Sequence, residues 1–361
     1  MSGKGENMIY LDDDRLEIRF PELHENAGVR ISFKRTLRLP DNGETHFLPP
    51  GLGNFPLRHI EDYDLGEQNN IKNRGGVIMP MFQADALWLD FASINQNREE
   101  DYPIAVKIGT GKICAVSGDD WSQSLNRHPQ DYVVVPNQPW IDGYNVGEDI
   151  VKQFVAAPLG QGYTVEEQLK AEADTGGIQI QAFPMKKEFY DLMVERRRKE
   201  RREREASYDR IMPSAAMPSA AMSECSDVMY CMESPQMGLA AGGKMRQEIY
   251  EDDHEFDAWD LRTSQRCFVT LANAEQWMSL TGEEPPLSPI SARTYTQYDL
   301  PWFDYYGGDQ KVIAGAKKLK NIKSVKDIKP KSGKNFWGKV LPVTKPKVVK
   351  LERRKVNVGQ W

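Results

Sequence analysis

The sequence predicts a mainly β fold of the α+β kind: a sandwich or barrel-like body with an inserted charged helix, a flexible Met-rich loop and a basic C-terminal tail. Three observations predict it. Residues 8–185 break into short apolar runs separated by Pro and Gly loops, which fits a sandwich or barrel better than alternating β and α units. Within VRISFKRTLRL at 29–39, Val29, Ile31 and Phe33 alternate with Arg30, Ser32 and Lys34, the two-residue period of a strand with one buried face. From Lys186 onward the pattern changes to a dense charge run followed by low-complexity sequence.

The elements follow in order. After the 29–39 strand comes a long loop, DNGETHFLPPGLGNFPL, where Pro49, Pro50 and Pro56 remove ladder donors and Gly51 and Gly53 permit sharp turns. Further strands are expected near 77, at 86–91, 104–108, 112–116, 132–135, 150–156 and 177–183. IAVKI-GTG-KICAV reads as a hairpin, and its GTGK lacks the spacing of a phosphate loop. YTVEEQL at 163–169 reads as a short helix with Thr164 as N-cap and Glu167 as its capping-box partner.

Residues 1–185 therefore form a β-rich domain. Positions 186–241 hold the charged helix and a Met/Ala/Ser loop containing the repeat MPSAA-MPSAA, read as an insertion or linker. The helix mixes acids with arginines, so a solvated face is favoured over RNA binding. The Met and Cys of the loop have no tight repeated spacing for Cu(I). Residues 242–310 are expected to complete the first domain, with a strand at 265–273 and a helix at 274–282 closed by Gly282.

The tail, 311–361, carries 16 of the chain's 47 Lys and Arg but only two acids, Asp327 and Glu352. That leaves 31 basic residues against 51 acidic ones in positions 1–310, so the net charge of −6 conceals an acidic body joined to a basic end. Such a division drives association with an acidic surface of the same protein or of a partner. Leu319, Ile322, Val325 and Ile328 recur at three-residue steps and predict a helical stretch with one apolar, docking side. The following VLPVTKPKVVKLERRKVNV reads as extended, suited to adding an edge strand to a neighbour. Lys334, Trp337, Lys339, Lys345, Lys347, Lys350, Arg353, Arg354 and Lys355 are the candidate partner-binding residues. Lysines interleaved with Phe336 and Trp337 also suit nucleic acid, through phosphate contacts and base stacking.

Several classes of function are set aside. No apolar run reaches the length of a membrane span; 77–89 is interrupted by Gln83 and Asp85. The N-terminal residues lack the apolar core of a signal peptide, and four cysteines without a CxxC pair suit a reducing compartment, so a cytoplasmic protein is expected. Scattered histidines give no metal site, no cofactor fingerprint is present, and no nucleophile motif occurs; an enzyme is disfavoured. One constellation stands out. PWIDGY at 139–144 and PWFDYY at 301–306 place Trp140, Asp142 and Tyr144, and again Trp302, Asp304 and Tyr306, in the same order. A sugar stacks on such rings and bonds to such carboxylates, so a carbohydrate-binding or carbohydrate-active protein is the alternative reading. The simpler account is a Trp anchoring each loop and an Asp satisfying turn amides.

FKRTLRLPDNG with LPPGLGNFPL, QDYVVVPNQPWIDGYNVGEDIVKQFVAAPLGQGYTVEEQ and MGLAAGGKMRQEIYED resemble a family of uncharacterised, mostly bacterial proteins. The resemblance spans most of the chain, less clearly the Met-rich loop and final tail. It implies one integrated fold and no activity, and it assigns no residue a catalytic role.

Overall fold

A computed structural model describes residues 8–63, 74–95, 101–170, 175–208, 236–286, 295, 297, 300–305, 310–329 and 348–351. The protein is mainly β, as the alternating and interrupted apolar runs predict. Among the described residues, sixteen strands join one sheet whose main path runs Met8–Asp12, Arg15–Arg19, Gly28–Thr36, Ala86–Ser93, Ile150–Pro158, Met237–Arg246, Gln265–Ala272, Ile178–Pro184, Ile104–Thr110 and Val133–Val135. Neighbours on this path are antiparallel.

Two strands at the middle of the path, Met237–Arg246 and Gln265–Ala272, follow the charged helix and the low-complexity loop in sequence. Residues 186–235 thus lie between Ile178–Pro184 and Met237–Arg246, two strands that flank Gln265–Ala272 in the sheet, with Met237 opposite Leu271. The Gly28–Thr36 strand, paired on both sides, keeps the period of two at Val29, Ile31 and Phe33, which have no exposure, against half-buried Arg30 and Lys34, while Ser32 between them is buried. Central strands are buried on both faces, and every residue of Ile104–Thr110 and Ile178–Pro184 is buried. Ile178–Pro184 is buried although its sequence, IQIQAFP, alternates, because Gln179 and Gln181 donate their amides to Gly111 O and Gln123 O.

Local signals produce the helices they specify. Thr164 Oγ1 accepts from Glu167 N at 3.2 Å and Glu167 Oε2 accepts from Thr164 N at 3.1 Å, a complete capping box ahead of the Val165–Lys170 helix. The Ala274–Thr281 helix has a second capping box, Asn273 with Gln276, and ends on Gly282 at φ 69°. The charged run forms the Lys187–Tyr208 helix. Its first turns are rooted by Tyr190, Met193 and Val194, and Tyr190 stacks on Tyr102 with ring centroids 4.2 Å apart. No helix among the described residues is long and apolar enough to cross a membrane.

One expectation about local structure changes. The three-residue steps of Leu319, Ile322 and Val325 do bury these side chains, at 0%, 4% and 1% exposure. The backbone, however, is an irregular strap with a 3-10 turn at Leu319–Asn321 and a further turn at 325–327. Its amides bond outward to the body: Ile313 N to Ile249 O at 2.8 Å, Ala316 N to Asn145 O at 3.1 Å and Val325 N to Ala241 O at 2.9 Å. A helix would have turned those groups inward, so partners on the sheet override the local period.

Candidate binding surface

The strap, residues 310–329, and the body beneath it form a concave region with a charged lining. Polar side chains of the body hold the strap. Gln168 bonds to Lys323 twice, accepting from its N–H at 2.7 Å and donating to its carbonyl at 3.0 Å, as a peptide group of a neighbouring strand would. Lys152 Nζ donates to Ile322 O at 2.6 Å and Asn145 Nδ2 to Ala314 O at 3.3 Å. Leu319 lies over Gly118, where a Cβ would approach its Cγ to 2.7 Å, and Gly315 lies against the backbone of Gly147. The chains approach closely enough that neither glycine has room for a side chain.

Between strap and body opens a cleft of about 680 Å³. Ser117–Asp119 and Arg127–Gln130 form one wall, Glu251 and Asp252 the floor, and Ile313–Lys318 the other wall. The first wall belongs to an excursion fixed from inside by Lys107. This fully buried lysine donates to Ser122 Oγ and Ser124 O, both at 2.7 Å, and pairs with Asp131 at 2.6 Å. Three acceptors for three N–H bonds make its burial tolerable.

The floor is equally well satisfied. Asp252 accepts from Tyr132 Oη at 2.6 Å, Trp259 Nε1 at 2.8 Å, Arg127 Nη1 at 3.4 Å and His254 N at 2.9 Å. Burial, then the neighbouring Asp252 carboxylate, pushes the Tyr132 hydroxyl far above its ordinary pKa. Asp252, Asp253 and His254 present donor atoms within 4.8 Å of one another. The Arg127 guanidinium on Asp252 opposes a second cation there, and the group acts as the anchor of its turn.

The exposed side of the strap is basic. Lys311, Lys317, Lys318, Lys320, Lys323, Lys326 and Lys329 all face solvent, interrupted by one acid, Asp327. Lys318 reaches across the cleft rim to Asp119 at 2.7 Å, and that hydrogen bond raises the pKa of its ammonium. The apolar residues point in and the lysines out at three-residue steps, Leu319, Ile322 and Val325 against Lys320, Lys323 and Lys326, because turns at 317–321 and 325–327 interrupt the extended backbone.

The two Trp-Asp loops come together, with closed faces. Trp140 is half-buried and meets Tyr305 edge to face at 4.8 Å. Asp142 is 3% exposed; Gln247 donates to its carboxyl at 2.6 Å and accepts from its backbone N–H at 2.9 Å. Burial pushes the Asp142 carboxyl up to about 8, against the hydrogen bonds from Trp140 and Gln247. Tyr144 is fully buried, with its hydroxyl 2.9 Å from Thr110 Oγ1. Trp302 and Asp304 are 3% and 5% exposed, and Asp304 faces Arg246 at 3.9 Å. Loop anchoring accounts for these contacts, and none of the four buried side chains, Asp142, Tyr144, Trp302 and Asp304, opens a ring face or a carboxylate to a sugar.

Tyr306, Lys334, Trp337, Lys339, Lys345, Lys347, Arg353, Arg354 and Lys355 lie outside the described residues, as do 209–235 with the Met repeat. Lys350 falls in the Val348–Leu351 strand, which pairs with Trp302–Tyr305 of the same chain. The cleft residues Asp119, Arg127 and Asp252 escape sequence reasoning because they come from loops 8 to 133 positions apart and share no motif. The sequence signal for the region was the apolar step within the strap. Comparison of the chain with known protein families, curated proteins and solved structures finds no match.

Proposed function

We propose that this chain is a non-enzymatic binding protein whose basic C-terminal region docks on an acidic protein surface. The observation that carries the reading is the lysine row of the strap: seven exposed ammonium groups along 19 residues, Lys311 to Lys329, on a backbone fixed by buried Leu319, Ile322 and Val325. Fixing the backbone in advance removes much of the ordering cost that a free basic tail would meet on binding. The partner class follows from charge. An acidic protein surface attracts this row, whereas a nucleic acid also meets the repulsion of a body with 51 acids against 31 bases. The free buried thiols of Cys114 and Cys267 suit a reducing compartment, and the cytoplasm is the setting that fits.

Light scattering on the full chain at low and high salt tests this, with the absorbance ratio reporting bound nucleic acid. The expected result is an assembly heavier than one chain at low salt, free of nucleic acid, that dissociates as salt screens the lysines. The variant Lys320→Glu, Lys323→Glu, Lys326→Glu should remain a monomer. A wild-type monomer at low salt that also shows no salt-sensitive retention on an immobilised acidic protein refutes the reading, and co-purifying nucleic acid replaces it with polyanion binding.

A further inference from the structure

The cleft between strap and body lies behind the outward lysine row, and its volume of about 680 Å³ is that of a small-ligand site. Its ionised lining balances: Asp119, Glu251 and Asp252 against Arg127, Lys317 and Lys318, with an exposed His128 imidazole beside them. Two charges of each sign are already joined, Lys318 to Asp119 at 2.7 Å and Arg127 to Asp252 at 3.4 Å. Glu251 and Lys317 are exposed, and neither side chain has an ion pair or hydrogen bond among the described residues. One anion in the floor and one cation in the strap wall thus remain for a ligand.

Arg127 is the most directed of these groups. Its Nη1 donates to Asp252 Oδ2 at 3.4 Å and to His254 O, and its Nη2 donates to Asp252 O at 2.7 Å. Of the five N–H bonds of a guanidinium, the two left over, on Nε and Nη2, have no acceptor among the described residues, and the side chain is 29% exposed. An Nε–Nη2 edge fixed from behind is a fork for both oxygens of a carboxylate. Asn145 supplies the opposite function. It is 2% exposed, its Nδ2 donates to Ala314 O at 3.3 Å, and its Oδ1 accepts from no described residue. With the Glu251 carboxylate it offers acceptors to an ammonium group.

We propose that the cleft binds a zwitterion, an amino acid or short peptide, with its α-carboxylate on Arg127 and Lys317 and its α-ammonium on Glu251 and Asn145. Charge sets the class. A phosphate or nucleotide brings a second negative charge beside Glu251 and Asp252. A neutral sugar covers the Arg127 edge without an ionic partner, at the cost of its desolvation. The site is separate from the docking of the outer lysines on an acidic surface, and neither reading requires the other.

Saturation-transfer NMR on the full chain tests it with three probes: mixed free amino acids, mixed tripeptides with free ends, and the same tripeptides N-acetylated and C-terminally amidated. Transfer to either free-ended probe, lost or weakened about 10- to 100-fold when both ends are blocked, is the expected result. The first two probes identify the source. Arg127→Lys keeps the charge but loses the fork and should weaken binding about 10- to 100-fold. Because Arg127 also holds the floor, Glu251→Gln and Lys317→Gln at exposed positions serve as independent variants; each should weaken binding and leave the urea midpoint unchanged. The Lys320→Glu, Lys323→Glu, Lys326→Glu variant should bind the probe as wild type does, so that failure of the outer docking and failure of this site are read separately. No transfer from either free-ended probe, equal transfer from the blocked tripeptides, or wild-type binding by all three cleft variants overturns the proposal.

Discussion

Leu319 tests the strap most directly. It is fully buried, seated over Gly118, and lies between the cleft wall at Gly315–Lys318 and the anchor at Ile322. Leu319→Ala removes the larger part of a side chain from a site that the rigid neighbouring backbone cannot refill, a change that costs about 2–5 kcal/mol in comparable cores. Leu319 belongs with Ile322 to the main core cluster, and the loss falls on the strap because Leu319 ties it there, while Val325 packs in a separate cluster with Ala157, Tyr163 and Ala240. Hydrogen exchange read by mass spectrometry resolves the two regions. At about 1.4 kcal/mol per factor of ten, strap amides should exchange about 30- to 3000-fold faster, while those of Ile104–Thr110 and Ile178–Pro184 keep their protection. The Ile313, Ala316 and Val325 amides are the ones to follow, since each donates to the body. Unchanged strap protection would mean that backbone and polar contacts alone hold it. Loss of protection throughout the sheet would mean that the strap is part of the global folding unit. Either result refutes the argument.

Stability should fall as pH rises from about 5.5 to 8.5, because burial raises two carboxyls from 3.8, Asp142 to about 8 and Asp85 to about 7. Both bind their proton more tightly folded than unfolded, so their contribution is complete below the unfolded value and is lost as pH climbs through the folded one; the combined loss is on the order of 3–5 kcal/mol. Urea unfolding at the two pH values measures it, and Asp142→Asn should flatten the dependence; a rise in stability across this window would contradict the assignment. Asp252→Asn turns an N–H group toward the donors of Tyr132, Trp259 or His254 and withdraws the charge that Arg127 faces. It should cost about 3–5 kcal/mol, visible as a lower urea midpoint, and a midpoint within experimental error of wild type would show that the hub carries little energy.

The sequence by itself determined the elements whose signals are local. The alternation of Val29, Ile31 and Phe33 against Arg30 and Lys34, the Thr164–Glu167 capping box, and the Asn273 to Gly282 helix limits appear as read, because each depends on residues within one turn or one strand. The inward direction of Leu319, Ile322 and Val325 was legible too, since an apolar residue among lysines has to leave water. Only the tertiary structure decided the rest. That strap is irregular instead of helical because Ile249, Asn145 and Ala241 supply acceptors that a local reading does not contain. Met237–Arg246 and Gln265–Ala272 sit in mid-sheet because strand pairing is indifferent to the fifty residues that intervene. The Trp-Asp loops meet with their polar groups turned inward, where Gln247 and Arg246 already partner them. Spacing shows which residues are able to converge; burial and partner geometry, which exist only once distant segments are packed, decide which faces remain open for binding.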